Sequence, residues 1–272
     1  MKSFISHDKQ FPAYINSLLS KGQYWFTKPR LREELGLSDG AINVALWRMG
    51  QKSAVCRIKR DFYVIVPPEH QIAACLPARW FIHPFMEYLK LPYYVGLLSA
   101  ASVHGSAHQQ VMMLQVVTTK QMRPINVANQ HIRFYYKQNI QKELLESKKT
   151  PLSYFTISNL ELTLFDLIKY AKTGGQLQQA ATVIYELIEN IKMDALIEFI
   201  KNSGISLPVA HRFGYVLDKV IKCEIDLSLL EQAINERKPR YIPLVSANDK
   251  VAYEKNQRWH VLVNADIELD EI

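Results

Sequence analysis

Residues 27–66 read TKPRLREELGLSDGAINVALWRMGQKSAVCRIKRDFYVIV, and the order of signals in this run decides the fold. Thr27 can cap a helix over KPRLREELG, in which Pro29 occupies the first turn without losing a needed N–H and Gly36 ends it. Ser38 caps a second helix, SDGAINVALWRMGQK, after a very short connection, and two short helices so joined form a helix-turn-helix. The run AVCRIKRDFYVIVPP then alternates on either side of Lys59-Arg60-Asp61, which predicts a β-hairpin placed as a wing, with Phe62, Val64 and Val66 turned toward the helices. Upstream, FPAYINSLLSKG sets Phe11, Ile15, Leu18 and Leu19 on one helical face and stops at Gly22. Pro67-Pro68 cannot continue a paired strand, so a domain boundary is expected near residue 70.

Wound at 3.6 residues per turn, the helix after Ser38 turns Ile42, Ala45, Leu46 and Met49 inward. Its other side carries Gly40, Asn43, Val44, Trp47, Arg48 and Gln51, a mixture unlike the Glu/Lys pattern of a plain solvent face. Asn43 and Arg48 are of the types that pair bidentately with base edges in a major groove. Trp47 either joins them or covers the junction between helix and hairpin. Thr27, Lys28, Arg30, Lys52, Arg57, Lys59 and Arg60 are candidates for phosphate contact, against the alternative of a solvated basic surface. The charge distribution supports a polyanion partner. Residues 1–70 hold 11 Lys and Arg against 6 Asp and Glu, most of the +7 net charge of the whole chain.

The chain has 272 residues, which at roughly 150 per domain predicts two: residues 1–70 as a winged helix-turn-helix, and residues 71–272 as a larger mixed α+β domain. In the second, residues 94–103 look helical, and β-like runs follow at 111–119, 123–128 and 131–137, the last two separated by a turn at Asn129-Gln130. Ser158 with Glu161 three residues on reads as a capping box for a helix, with Asp166 on its surface. Helices are expected at 176–191, 193–203 and 207–223, and a strand in WHVLVNADI near the C-terminus. Lys120, Arg123, Arg133 and Lys137 form a second basic cluster, which extends the DNA footprint, meets an acidic or RNA partner, or keeps an edge strand soluble.

Several chemistries are disfavoured. Cys56, Cys75 and Cys223 are odd in number and in no metal-like spacing, which argues against a disulfide framework or a zinc site. His104 and His108 stand four apart, but Gly105 and Ser106 interrupt a helix between them. No G-x-S-x-G elbow, P-loop or dinucleotide fingerprint occurs, so neither catalysis nor a cofactor is expected. The N-terminus lacks the apolar run of a signal peptide and no stretch is long enough to span a membrane, which predicts a cytoplasmic protein.

Beyond the winged helix, the succession YYVGLLSAASVHG, VMMLQVVTT, IRFYYK, ISNLELTLFDLI and YIPL…RWHVLVNADIELDE resembles the AbiEi antitoxins, transcriptional regulators of type IV toxin–antitoxin (abortive infection) systems. The resemblance implies that the winged helix binds inverted repeats upstream of its own operon and represses it. It also implies that the C-terminal domain counters a separately encoded nucleotidyltransferase-like toxin, directly or without contact. One departure falls at the wing tip, where similar proteins commonly carry Gly and this chain has Asp61; aspartate tolerates a left-handed backbone, so the turn can survive. Two other readings stay open: a stand-alone regulator or adaptor, and a C-terminal domain that catalytically reverses the toxin's modification.

Overall fold

The helix signals are realised locally in the computed structural model, which describes residues 7–106, 112–191, 193–202, 206–237, 240–245 and 253–270. The described residues are of mixed α+β class and form two compact units, drawn from 1–95, 112–140 and 146–157 and from 96–111, 141–145 and 158–272.

The first unit opens with α1 (His7–Ser20), β1 (Trp25–Thr27), α2 (Lys28–Leu35) and α3 (Asp39–Gln51), followed by the hairpin β2 (Val55–Lys59) and β3 (Phe62–Ile65). The Thr27 hydroxyl accepts from the Arg30 N–H at the start of α2, Gly36 ends that helix in the left-handed region at φ 63°, and Ser38 caps α3 by accepting from Ala41. A cap of this kind stabilises by about 1 kcal/mol. The strands pair antiparallel in the order β1-β3-β2, which makes Trp25–Thr27 a strand that the sequence pattern did not reveal.

The core under these helices holds Phe11, Tyr14, Ile15 and Leu18 of α1, Phe26, Leu31, Leu37, Ile42, Leu46 and Val55, with Tyr63 and Ile65 from the hairpin. Phe26 stacks on Tyr63 at 5.4 Å and meets Phe11 edge-on at 6.0 Å. The parity of β3 is therefore opposite to that expected. Tyr63 and Ile65 face the helices, whereas Phe62 packs against Phe85, 5.2 Å away, and Tyr88 of α4 (Ala78–Tyr88). All four residues of β3 are buried, so alternation could not mark the inner face.

The unit does not end at Pro67-Pro68. It continues through α4 into β4 (Tyr93–Val95), β5 (Leu114–Thr118), β6 (Ile125–Val127), β7 (Gln130–Tyr136), β8 (Leu145–Lys149) and β9 (Tyr154–Ser158), a sheet of order β6-β7-β5-β4-β9-β8. Tyr94 and Val95, expected in a helix, belong to a strand; they are completely buried, and an apolar run without alternation reads equally as helix or strand. The β6–β7 turn falls at Ala128-Asn129, because Gln130 already pairs with Val127 and Ala128 takes the left-handed backbone at φ 47°.

The second unit is mainly helical: α5 (Leu97–Ala101), α6 (Leu160–Tyr170), α7 (Gly174–Leu187), α8 (Met193–Asn202), α9 (Leu207–Tyr215), which runs on into a wider turn at Val216–Ile221, and α10 (Ser228–Asn235). Two sequence expectations are corrected at α6. Asn159 rather than Ser158 is the cap, accepting from Leu162, since Ser158 ends the preceding strand and its hydroxyl bonds Thr163. Asp166 is not a surface carboxylate but is buried, because α5, α7, α8 and α9 all pack around this helix. A small sheet closes the unit, with β10 (Ile242–Pro243) parallel and β11 (Glu254–Asn256) antiparallel to β12 (Val261–Val263). The residues just before β12 anchor it: Trp259 is completely buried, and its Nε1–H donates to Asp218 at 2.8 Å. Just after it, the Asn264 amide donates to the Val245 carbonyl and accepts from the Val245 N–H, at 2.7 and 2.8 Å. The WHVLVNADI block thus has a packing role.

Candidate nucleic-acid interface

Only Gly36, Leu37 and Ser38 separate α2 from α3, and the backbone N–H of Lys28 donates to the Asp61 carbonyl at 2.9 Å, tying the start of α2 to the hairpin tip. The result is a cleft of about 440 Å³ lined by Lys28, Pro29, Arg32, Asp39, Asn43, Arg57, Arg60, Asp61 and Tyr63. Four cations and one amide from three elements converge there.

Two of the cations are already engaged. Asp39, in the first turn of α3, pairs with Arg32 and lies 3.6 Å from the Lys28 ammonium. The hydrogen bond from Arg32 holds the Asp39 carboxyl below its ordinary value, helped by the charges of Arg32 and Lys28, so acid loosens this clamp at a lower pH than it would protonate a free aspartate. Arg57 and Arg60 are both exposed; Arg60 has only a 3.9 Å approach to its neighbour Asp61. Arg30 points elsewhere, donating to Glu34 at 2.6 Å, a bond that raises its pKa, and to Gln23 at 3.4 Å.

The outer face of α3 continues from the cleft. Ile42 and Leu46 are buried and Ala45 and Met49 half-buried, as their spacing predicts, while Asn43, Val44, Trp47, Arg48 and Gln51 are exposed. Trp47 is 66% exposed, so it does not cover the helix–hairpin junction. With Val44, 50% exposed, it leaves apolar surface on this face of α3 among polar and cationic side chains.

The sequence-derived set is therefore divided. Asn43, Lys28, Arg57 and Arg60 share one cleft, Trp47, Arg48 and Lys52 lie exposed along or at the end of α3, and Thr27 spends its hydroxyl on the cap. Lys59 lines a different cleft together with Lys120 and Arg123. The other two members of the second basic cluster are occupied with aromatic rings: Arg133 lies over Tyr135 at 5.5 Å, and Lys137 bonds the Tyr94 hydroxyl at 3.2 Å. Arg32 and Asp39 were missed by sequence reasoning. The signal for Arg32 was its position four residues after Lys28, on the same side of α2; nothing in the sequence marks Asp39 as its partner. His104 Nε2–H donates to the Ser158 carbonyl at 2.8 Å, and His108 lies outside the described residues.

The fold is that of an α+β protein with a basic N-terminal face, and comparison with known proteins supplies its class. Residues 94–219, a little under half of the chain, match the family model of the AbiEi antitoxin C-terminal domain, which supports an antitoxin of that kind. Among solved structures the chain is similar to the RV2827C protein of Mycobacterium tuberculosis, with a TM-score of 0.63 and 12% identity over 92% of this chain and 89% of that one, a likeness of fold. No curated protein matches the sequence. Among the described residues no helix is long and apolar enough to cross a membrane.

Proposed function

We propose that residues 1–70 form a winged helix-turn-helix that binds inverted repeats of duplex DNA upstream of the protein's own operon, and that the protein is thereby an autorepressing antitoxin whose remaining α+β body counters a nucleotidyltransferase-like toxin. The observation that carries the DNA half is the convergence of Lys28, Arg32, Asn43, Arg57 and Arg60 in one cleft beside an exposed helix face bearing Trp47 and Arg48. In this reading α3 lies in the major groove, with Asn43 and Arg48 at base edges, and the β2–β3 hairpin rests its arginines on the backbone. The antitoxin half rests on the family match at residues 94–219.

Footprinting of the full-length protein on its upstream DNA tests the assignment, with protection of an inverted repeat as the expected result. On that repeat, Arg48→Ala should weaken binding by about 1–3 kcal/mol and relax the preference at one position of each half-site. Unchanged affinity and an unchanged footprint would remove Arg48 from the site.

Asp39 gives a prediction of opposite sign. Its carboxylate competes with phosphate for Lys28 and Arg32, so Asp39→Asn should tighten binding to random duplex by about threefold to tenfold and steepen its salt dependence. Fluorescence anisotropy on labelled duplex reads both. Weaker binding by this variant would mean that the clamp positions the two cations for DNA rather than withholding them.

A further inference from the structure

A second cleft opens on the other side of the hairpin, within the first unit, between Lys59 at the end of β2 and the segment joining β5 to β6. Its volume is about 490 Å³, within the roughly 300–1,000 Å³ range of small-molecule sites. Its walls are of two kinds. Lys59, Lys120 and Arg123 are exposed cations that make no ion pair with any described residue, and no Asp or Glu is among the lining residues. Beneath them Leu89, Leu91 and Met122 are only half-buried, leaving apolar surface at the floor.

We propose that this cleft is a binding site for a mononucleotide, with Arg123 and the two lysines on its phosphates and the base laid on the Leu89–Leu91–Met122 floor. Three unneutralised cations in a concavity call for a multiply charged anion, and the planar guanidinium of Arg123 can hold phosphate oxygens through two parallel N–H bonds. The apolar floor distinguishes the ligand further. A duplex backbone is a convex polar rod that gains little from leucine and methionine side chains, and free phosphate gains nothing from them, whereas a purine or pyrimidine gains by covering them. Amide groups for the base edge are also present. Gln121 and Asn126 reach the cleft, and the Asn126 carbonyl oxygen is engaged by His131 Nδ1 at 3.0 Å, which fixes the amide and leaves its NH2 to donate. Because Ile58 and Lys59 of the hairpin form part of the wall, next to the irregularity in pairing between Arg57 and Lys59, a bound nucleotide touches the hairpin directly.

Isothermal titration of the full-length protein with ATP, GTP and AMP, and with inorganic phosphate alone, tests this without any DNA present, so its outcome is independent of the DNA-binding reading. The expected result is one saturable nucleotide site per chain, weakened about tenfold or more by Arg123→Ala, restored in part by Arg123→Lys, and unmoved by Arg133→Ala. Arg123 is exposed, and a thermal melt of each variant confirms that it folds. Three results would overturn the proposal: no saturable binding up to about 1 mM nucleotide, a range that covers affinities of small-molecule sites; inorganic phosphate binding as tightly as nucleotide, which leaves an adventitious ion only; or loss of random-duplex binding on Arg123→Ala with no nucleotide bound, which gives the cleft to the DNA backbone.

Discussion

Raising salt from about 50 to about 200 mM should weaken binding to the upstream duplex on the order of 500-fold, a logarithmic slope near −4.5 for roughly five neutralised phosphates. The five cations are Lys52, Arg57 and Arg60, which lie exposed around the cleft and the end of α3, together with Lys28 and Arg32 once phosphate has displaced Asp39 from them. The size of the effect comes from counterion release, so it is larger than the loss expected from any single base contact. Arg57→Ala should reduce the slope by about 0.9 and the Arg57→Ala/Arg60→Ala pair by about twice that, uniformly across DNA sequences. Lys120→Ala is the internal control, because that side chain belongs to the cleft on the far side of the hairpin. Anisotropy titrations at four salt concentrations would measure all of these slopes. A wild-type slope near −1, or one that falls equally with Lys120→Ala, would show that the cations around Asn43 do not grip phosphate.

Legibility in the sequence followed the length of the interaction that each residue makes. Caps at Thr27 and Ser38, the stop at Gly36 and the buried stripe of α3 all act within a few residues, and all were readable. The strand Trp25–Thr27 was not, because three residues carry no period and the strand exists only through pairing with Phe62–Val64. α4 was hidden by Pro84 within it, which the helix accommodates while burying Phe81, Ile82, Phe85 and Met86. The inverted parity of β3 has a related cause: α4 covers the side of the hairpin that would otherwise face water, so polar residues never mark it.

The candidate site divides along the same line. Residue types and positions on α3 gave Asn43, Trp47 and Arg48, since a helix face is a local property. What the cations do depends on partners distant in sequence. Lys28 and Arg32 meet Asp39 across a helix junction, while Lys59 joins Lys120 and Arg123 through a sheet that begins some thirty residues later along the chain, an order of separation over which a single sequence carries no pattern. Net charge located the basic region but could not separate its two clefts.

The largest change in stability from a single added carbon is expected at Gly214→Ala. Gly214 lies in α9, where alanine is intrinsically better than glycine by about 1 kcal/mol. Here, though, a β-carbon would fall far inside van der Waals contact with the middle of the Trp259 ring. That ring cannot step aside cheaply: it is completely buried, its Nε1 is held by Asp218, and the Arg258 guanidinium lies 5.0 Å from it while bonding Glu231. Overpacking of this kind outweighs helix propensity, and a net destabilisation of about 2–4 kcal/mol is expected. With roughly 2–4 °C per kcal/mol for a protein of this length, the Tm should drop on the order of 10 °C. Trp259→Leu costs stability alone through the cavity it leaves, yet in the Gly214→Ala background it should cost much less or even restore stability, because the smaller side chain vacates the space that the methyl group needs. Thermal melts of the four proteins in that cycle give the coupling directly. Additive effects, or a Gly214→Ala variant as stable as the parent, would show that α9 and the Trp259 ring are not packed as closely as their positions require.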